Sequence, residues 1–204
     1  KFSPKTFCEM LQNNMKAKNI YVGNDFKFGA NREGDVDYLI KYFGEDSVHT
    51  IEDYEHNNEK ISSTLIKSFL SEGFVEQANQ ALGYEYSISG TVIKGDQRGS
   101  KIGFPTANLN IDKNIQIPKN GVYKVDVLLN GNLYQGIMNI GYKPTVSEGV
   151  KQSLEVHIFD FNDDIYGADL TVHFKKFIRD EIKFSSIDEL AQQISKDIED
   201  INKN

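Results

Sequence analysis

The sequence predicts an α+β protein, in which a mixed α/β portion over residues 1–82 precedes a small antiparallel β barrel or sandwich over residues 83–204. Three observations lead there. Up to Leu82, short apolar runs alternate with stretches of helical period, the pattern of a parallel α/β layer. From Tyr84 onward the dominant period is two, and Asn130-Gly131 is a hairpin signal. The chain then closes on one helical stripe, Ile187, Leu190, Ala191, Ile194, Ile198 and Ile201.

In the first portion, Ser3-Pro4 reads as a helix cap with proline in the first turn, and Phe7, Met10, Leu11 and Met15 follow at helical spacing. Residues 19–22 read as a short buried strand, residues 35–43 as an amphipathic helix stopped by Gly44, and residues 47–51 as a second strand. Two strands make a poor sheet. The chain also opens on Lys1 rather than Met, so this portion is expected to be the latter part of a larger domain. The loop over residues 23–34, with Asp25, Phe26, Phe28 and Arg32, leaves the carboxyl end of the first strand, where open α/β sheets bind ligands. Ile61-Ser62-Ser63-Thr64 then leads into Leu65, Ile66, Phe69 and Leu70. Capping explains those hydroxyls, and the same geometry offers N–H groups and hydroxyls to a phosphate. Gly73 closes that helix, and residues 74–82 form another before Gly83.

In the second portion, residues 86–93, 122–129, 133–140, 154–161 and 170–177 read as strands. Tyr123, Val125, Val127 and Leu129 share one face, with Lys124 and Asp126 on the other. Ser186 and Glu189 have capping-box spacing for the last helix. Packing against the β portion accounts for its stripe, which is assigned no chemistry.

A chain with 39% hydrophobic and 26% charged residues is an ordinary soluble globular one. No apolar run reaches membrane-spanning length and no signal-peptide pattern is present. The single cysteine, Cys8, excludes an intrachain disulfide and fits a reducing interior, so a cytoplasmic location is expected. A net charge of −7 argues against a nucleic-acid-binding surface. An anionic ligand then needs a local cluster of positive charge, N–H groups or a metal. His49, His56, His157 and His173 are scattered, and no Cys/His set has metal-ligand spacing. Neither GxxxxGK[ST] nor a post-strand GxGxxG occurs, and no Ser-His-Asp set is marked, so metal and serine hydrolases have no support.

The densest chemistry lies in residues 90–108, GTVIKGDQRGSKIGFPTAN. Gly90, Gly95, Gly99 and Gly103, with Arg98 and Lys101, make either a loop whose N–H groups cradle phosphate or a glycine-rich turn with incidental charge. Thr106 and Asn108 share a face, and a hydroxyl beside an amide oxygen suits Mg²⁺; a Pro-Thr turn bonded to its own backbone is the other reading. Glu155 opposes Leu154, Val156 and Ile158, and so either meets solvent or is a placed carboxylate. Arg179 is either a surface ion pair or a donor to a polar ring or phosphate.

These residues resemble the riboflavin kinase domain. The resemblance rests on GFPTAN at residues 103–108, Gly121-Val122-Tyr123, Asn139-Ile140-Gly141 with Pro144-Thr145, EVHIFDF at residues 155–161, Tyr166-Gly167 and residues 178–184. They occur in the family's order and cover residues 84–204. The resemblance implies a closed antiparallel barrel of about six strands with a C-terminal helix. It implies Mg-ATP-dependent phosphorylation of the riboflavin 5′-hydroxyl, giving FMN and ADP. ATP would lie against Gly95, Lys101, Ile158, Asp160 and Tyr166, and Mg²⁺ at Thr106 and Asn108. Glu155 would be the general base, with the flavin beside Phe104, Arg179 and Phe184. Its partners are then small molecules, with no nucleic acid and no membrane.

Residues 1–82 resemble the latter part of the FAD synthetase (FMN adenylyltransferase) domain of bacterial bifunctional enzymes, an incomplete nucleotidyltransferase-like α/β portion. The motifs are GNDFKFG at residues 23–29, with Asn24 and Asp25, and ISSTLIK at residues 61–67, with Ser63 and Thr64. Lys67 stands where the family usually has Arg. The family's HxGH-type motif has no counterpart, since no histidine precedes His49, so FMN adenylylation is not expected of this chain. A flavin- or nucleotide-binding module without catalysis is the alternative, and the intact Thr106, Asn108 and Glu155 argue against it.

Overall fold

A computed structural model describes residues 2–52, 54–56, 59–95, 99–145 and 149–203. It divides the chain into two units, Lys1–Ile61 and Ser62–Asn204. In the first, Ser3 caps helix α1 (Pro4–Glu9): its Oγ accepts from the Thr6 N–H at 3.1 Å, and Pro4 occupies a position that needs no N–H. Strand β1 (Ile20–Gly23) pairs in parallel with β2 (Val48–Ile51), Ile20 opposite Val48. A parallel pair requires a crossover. Helix α2 (Val36–Phe43) lies within it, capped by Asp35, whose Oδ1 accepts from the Tyr38 N–H at 3.0 Å. That bond, with a second from Lys27, holds the Asp35 carboxyl below the usual carboxylate range.

Cys8, Phe28, Leu39 and Val48 form the core of this unit. Phe28 comes from the loop after β1, where its N–H and C=O both pair with Gly34, and its ring centroid is 4.8 Å from that of Phe7. Cys8 is fully buried in that core, and burial pushes its thiol up. A short hairpin, β3 (Glu55–His56) with β4 (Glu59–Lys60), completes the unit.

In the second unit, helices α3 (Ser63–Glu72) and α4 (Val75–Leu82) precede six strands: β5 (Ser87–Ile93), β6 (Ala107–Asn110), β7 (Gly121–Leu129), β8 (Asn132–Thr145), β9 (Gly149–Ile158) and β10 (Asp169–Arg179). Every neighbouring pair is antiparallel, in the order β10-β5-β6-β9-β8-β7. Because β10 pairs with both β5 and β7, the sheet closes on itself. The fold is a barrel, not a sandwich. Asn130 (φ 50°) and Gly131 (φ 82°) are both left-handed, the primed turn that the twist of β7 and β8 selects.

The face predicted from alternation is the barrel interior: Tyr123, Val125, Val127 and Leu129 are all buried. Tyr123 meets Phe174 edge-on, with centroids 5.2 Å apart. Each such buried ring contributes about 1.5–3 kcal/mol relative to exposure. The Tyr123 hydroxyl donates to the Lys119 carbonyl at 2.5 Å, and burial pushes the phenol far above its ordinary range.

Helix α5 (Ile187–Lys203) packs on the outer surface, with Ile201 against Val122 and Ile137. Ile187, the first residue of the predicted stripe, is exposed. The capping box is displaced by one residue: the Glu189 N–H donates to Ser186 Oγ at 3.2 Å, while its carboxylate accepts from the Ser185 N–H at 3.0 Å.

Periodicity changes near residue 82, whereas packing divides the chain after Ile61. Polar bonds account for the difference. The Asn79 amide of α4 donates to the Phe174 carbonyl at 2.8 Å and accepts from the Tyr86 N–H at 2.7 Å. The Lys119 N–H likewise donates to the Leu70 carbonyl of α3 at 2.8 Å. Both helices are thereby bound to the barrel.

Candidate functional site

Along β9, Leu154, Val156 and Ile158 point into the barrel and are buried, which throws Glu155 and His157 outward. Outward here is not into bulk water. A cavity of about 340 Å³ covers that face, lined by Phe104, Thr106, Glu155, Arg179 and Phe184 together with Leu190 and Ile194 of α5. Its volume lies within the usual range for small-molecule sites. Of the two readings left open for Glu155, the placed carboxylate is the one this geometry favours.

Glu155 faces Asn108 across β6 and Asn139 across β8. Its Oε1 accepts from Ser153 Oγ at 3.1 Å and lies 2.7 Å from Lys143 Nζ, while its Oε2 accepts from Thr106 Oγ1 at 3.3 Å. Lys143 Nζ also donates to Asn108 Oδ1 at 3.4 Å. A carboxylate and an amide oxygen thus share one ammonium, with the Thr106 hydroxyl on the same carboxylate. Among the described residues no group of three or more His, Cys, Asp or Glu is placed to hold a metal. The hydroxyl and amide oxygens suit a hard cation that brings water and phosphate as its remaining ligands, so Thr106 and Asn108 fit Mg²⁺.

A second cavity, of about 230 Å³, is lined by Thr106, Ile158 and Tyr166 among others. Thr106 therefore lines both cavities. Asp160 does not line the second cavity; it borders a third hollow with Tyr134 and Phe159. Gly95 lies against Asn108, and a Cβ there would stand only 2.5 Å from Asn108 Cγ. Lys101 sits in the short helical turn Gly99–Ile102, but its side chain, like all of Arg98, lies outside the described residues.

Arg179 is committed to Asp197 of α5. Its Nε donates to both carboxylate oxygens at 3.0 Å and its Nη2 to Oδ2 at 2.8 Å. The Gln193 amide also donates to Asp197 Oδ1 at 2.8 Å, and the guanidinium lies 5.9 Å from the Phe184 ring centroid. This is an ion pair, as one sequence reading had it, but a buried one: the Asp197 side chain is 4% exposed. Helix α5, assigned no chemistry from sequence, supplies Leu190, Ile194 and Asp197 to the cavity wall.

Sequence reasoning missed Asp197 and Lys143. Asp197 carried a signal, standing three residues after Ile194 and four before Ile201, a charge inside an apolar stripe. Lys143 has the strand parity of Asn139, but nothing local marks it. Asn24 and Asp25 form the turn after β1, in the first unit. Asp25 Oδ2 accepts from Lys60 Nζ at 2.9 Å, which holds the carboxyl below its ordinary range. Ser63 and Thr64 are exposed in the first turn of α3, in the second unit. Capping there falls to Ser62, whose Oγ accepts from the Leu65 N–H at 3.2 Å.

Comparison with known proteins places these features in context. The riboflavin kinase (Flavokinase) family model matches residues 82–204, and the FAD synthetase model matches residues 1–65. The bifunctional riboflavin kinase/FMN adenylyltransferase of Listeria monocytogenes is 39% identical over 199 residues, spanning 97% of this chain and 63% of its own. The Bacillus subtilis protein of the same name is 40% identical, spanning 96% and 63%. This chain therefore covers less than two thirds of these relatives. A crystal structure described as a macrolide-efflux protein from Streptococcus pneumoniae superposes with a TM-score of 0.87 at 36% identity, covering 98% of this chain and 64% of the other. No helix among the described residues is long and apolar enough to cross a membrane.

Proposed function

The chain belongs to the riboflavin kinase family, and from that premise we propose that it transfers the γ-phosphoryl group of ATP to the 5′-hydroxyl of riboflavin, yielding FMN and ADP. One observation carries the reading: two cavities meet at Thr106, and Glu155 stands beside it. The larger cavity has the aromatic lining a flat isoalloxazine needs, in Phe104 and Phe184, and the guanidinium of Arg179 gives it a planar donor. The smaller takes the nucleotide against Ile158 and Tyr166, with Gly95 beside Asn108 toward the phosphates. Asp160 borders a hollow that shares His157 with the larger cavity and does not line the smaller one, so the nucleotide contact is assigned to Ile158 and Tyr166.

Thr106 and Asn108 would hold Mg²⁺, which when bound neutralises charge on the phosphates. Glu155 accepts the proton of the 5′-hydroxyl as that oxygen bonds to the γ-phosphorus and the bond to ADP breaks. Positioning and charge stabilisation do most of the work in phosphoryl transfer, and a general base adds about 10²–10⁴-fold. The same reading takes residues 1–82 as part of an FMN adenylyltransferase-like domain in a cytoplasmic enzyme whose full form also makes FAD.

The test is ATP-dependent FMN formation by this chain. Glu155→Gln should lower turnover about 10²–10⁴-fold while circular dichroism shows the barrel intact. A variant keeping most of its turnover would refute the base assignment. Tight flavin binding without FMN formation under saturating Mg-ATP would replace the kinase reading with a non-catalytic binding module.

A further inference from the structure

The residue that the proposed chemistry does not use is Lys143, and it occupies the centre of the transfer site. It enters from β8, on the far side of β9 from β6, and its Nζ lies 2.7 Å from Glu155 Oε1 and 3.4 Å from Asn108 Oδ1. Asn108 and Glu155 are directly opposed across β6 and β9, so their side chains project side by side into the same space. The Lys143 and Glu155 side chains are only 33% and 22% exposed, so water screens this pair less than it would a surface pair.

We propose that Lys143 is a built-in counter-cation of the transfer site. Its ammonium holds Asn108 Oδ1 where a divalent cation would later hold it, beside the Glu155 carboxylate, and it must yield that place when the cation arrives. The inference rests on the kinase reading for the identity of the cation, and its geometry comes from the β6–β9–β8 register. Two consequences follow from charge and size. An ammonium at 3.4 Å from Asn108 Oδ1 overlaps the volume a hydrated Mg²⁺ would fill, and the two positive charges repel. The lysine stem is long and flexible, so its head can leave without moving β8. Lys143 is in this sense a positioning residue: it pre-orders the carboxylate and amide, and the cation has to displace it. Metal affinity is thereby set lower than Thr106 and Asn108, with the Glu155 charge nearby, would otherwise make it.

The experiment titrates the nucleotide-free chain with Mn²⁺ and reads free Mn²⁺ by electron paramagnetic resonance. Wild type is compared with Lys143→Met, which keeps the stem, and Lys143→Arg, which keeps the charge. Lys143→Met should bind Mn²⁺ at least about fivefold more tightly, a modest value for a partly exposed charge pair. Lys143→Arg should stay near wild type. Equal or weaker binding by Lys143→Met would overturn the proposal, as would Lys143→Arg behaving like Lys143→Met. Thermal unfolding of each variant separates these outcomes from loss of fold. Wild-type turnover is measured in parallel, and its absence would overturn the kinase reading while leaving the Mn²⁺ comparison to stand on its own.

Discussion

Replacing Asp197 by alanine tests whether α5 is part of the site or a cover over it. The carboxylate accepts twice from Arg179 Nε, once from Arg179 Nη2 and once from the Gln193 amide, at 2.8–3.0 Å throughout. The alanine variant leaves the guanidinium, 17% exposed at its side chain, with its bond to the Asp180 carbonyl but without the carboxylate that pairs with it. Breaking a buried ion pair from one side costs about 3–5 kcal/mol, and the residual exposure of Arg179 argues for the lower end, about 3 kcal/mol. The double variant Arg179→Met, Asp197→Leu should recover most of that loss, because apolar replacements of similar volume remove both charges together. It should nevertheless bind riboflavin more weakly than wild type, since Arg179 lines the cavity proposed to take the flavin. Urea unfolding read by hydrogen exchange in peptides from β7 and β10 reports the barrel separately from residues 1–61. If Asp197→Ala costs less than about 1 kcal/mol, the pair behaves as a surface salt bridge and the reasoning fails.

Two further predictions are local. Gly95→Ala puts a Cβ against the Asn108 amide and should turn that side chain away. Mg-ATP affinity should then fall about tenfold, or about 1.4 kcal/mol, with riboflavin affinity unchanged; unaltered Mg-ATP binding by calorimetry would contradict the contact. Glu189 is held below its ordinary range by hydrogen bonds from the Ser185 side chain and N–H. A carboxyl depressed in the folded state contributes stability that is present above its unfolded pKa, about 4.3, and lost as pH falls through the folded value. Glu189→Gln should therefore flatten the acid limb of α5 helicity, and an unchanged slope by circular dichroism below about pH 5 would disprove that role.

The parts of the site legible in sequence are polar residues that the β pattern does not require. Glu155 was singled out as the carboxylate opposing Leu154, Val156 and Ile158, and Thr106 with Asn108 as a hydroxyl and an amide oxygen on one face. The primed turn at Asn130-Gly131 was legible because few residues tolerate φ > 0. Lys143 was not, because a lysine with strand parity looks like any solvated one until folding brings its ammonium within 2.7 Å of Glu155 on β9. Nor was the attachment of α3 and α4 to the barrel, which depends on Asn79 reaching Phe174 and Tyr86.

Sequence alone determined the five helices, five of the six barrel strands, the inward face of β7, and the residue types available for phosphate, cation and flavin, while β6 and the β3–β4 hairpin were not read from it. Each follows from periodicity or from one residue's own chemistry, which are local properties. Tertiary structure alone decided that the sheet closes, that the outward face of β9 is roofed into a cavity, and that Thr106 borders two cavities at once. It also decided the partners: Lys143 on Glu155, and Asp197 on Arg179. The physical reason is range. Closure and ion pairing join groups that are distant in sequence, and only the register of the paired strands and the docking of α5 bring them within hydrogen-bonding distance.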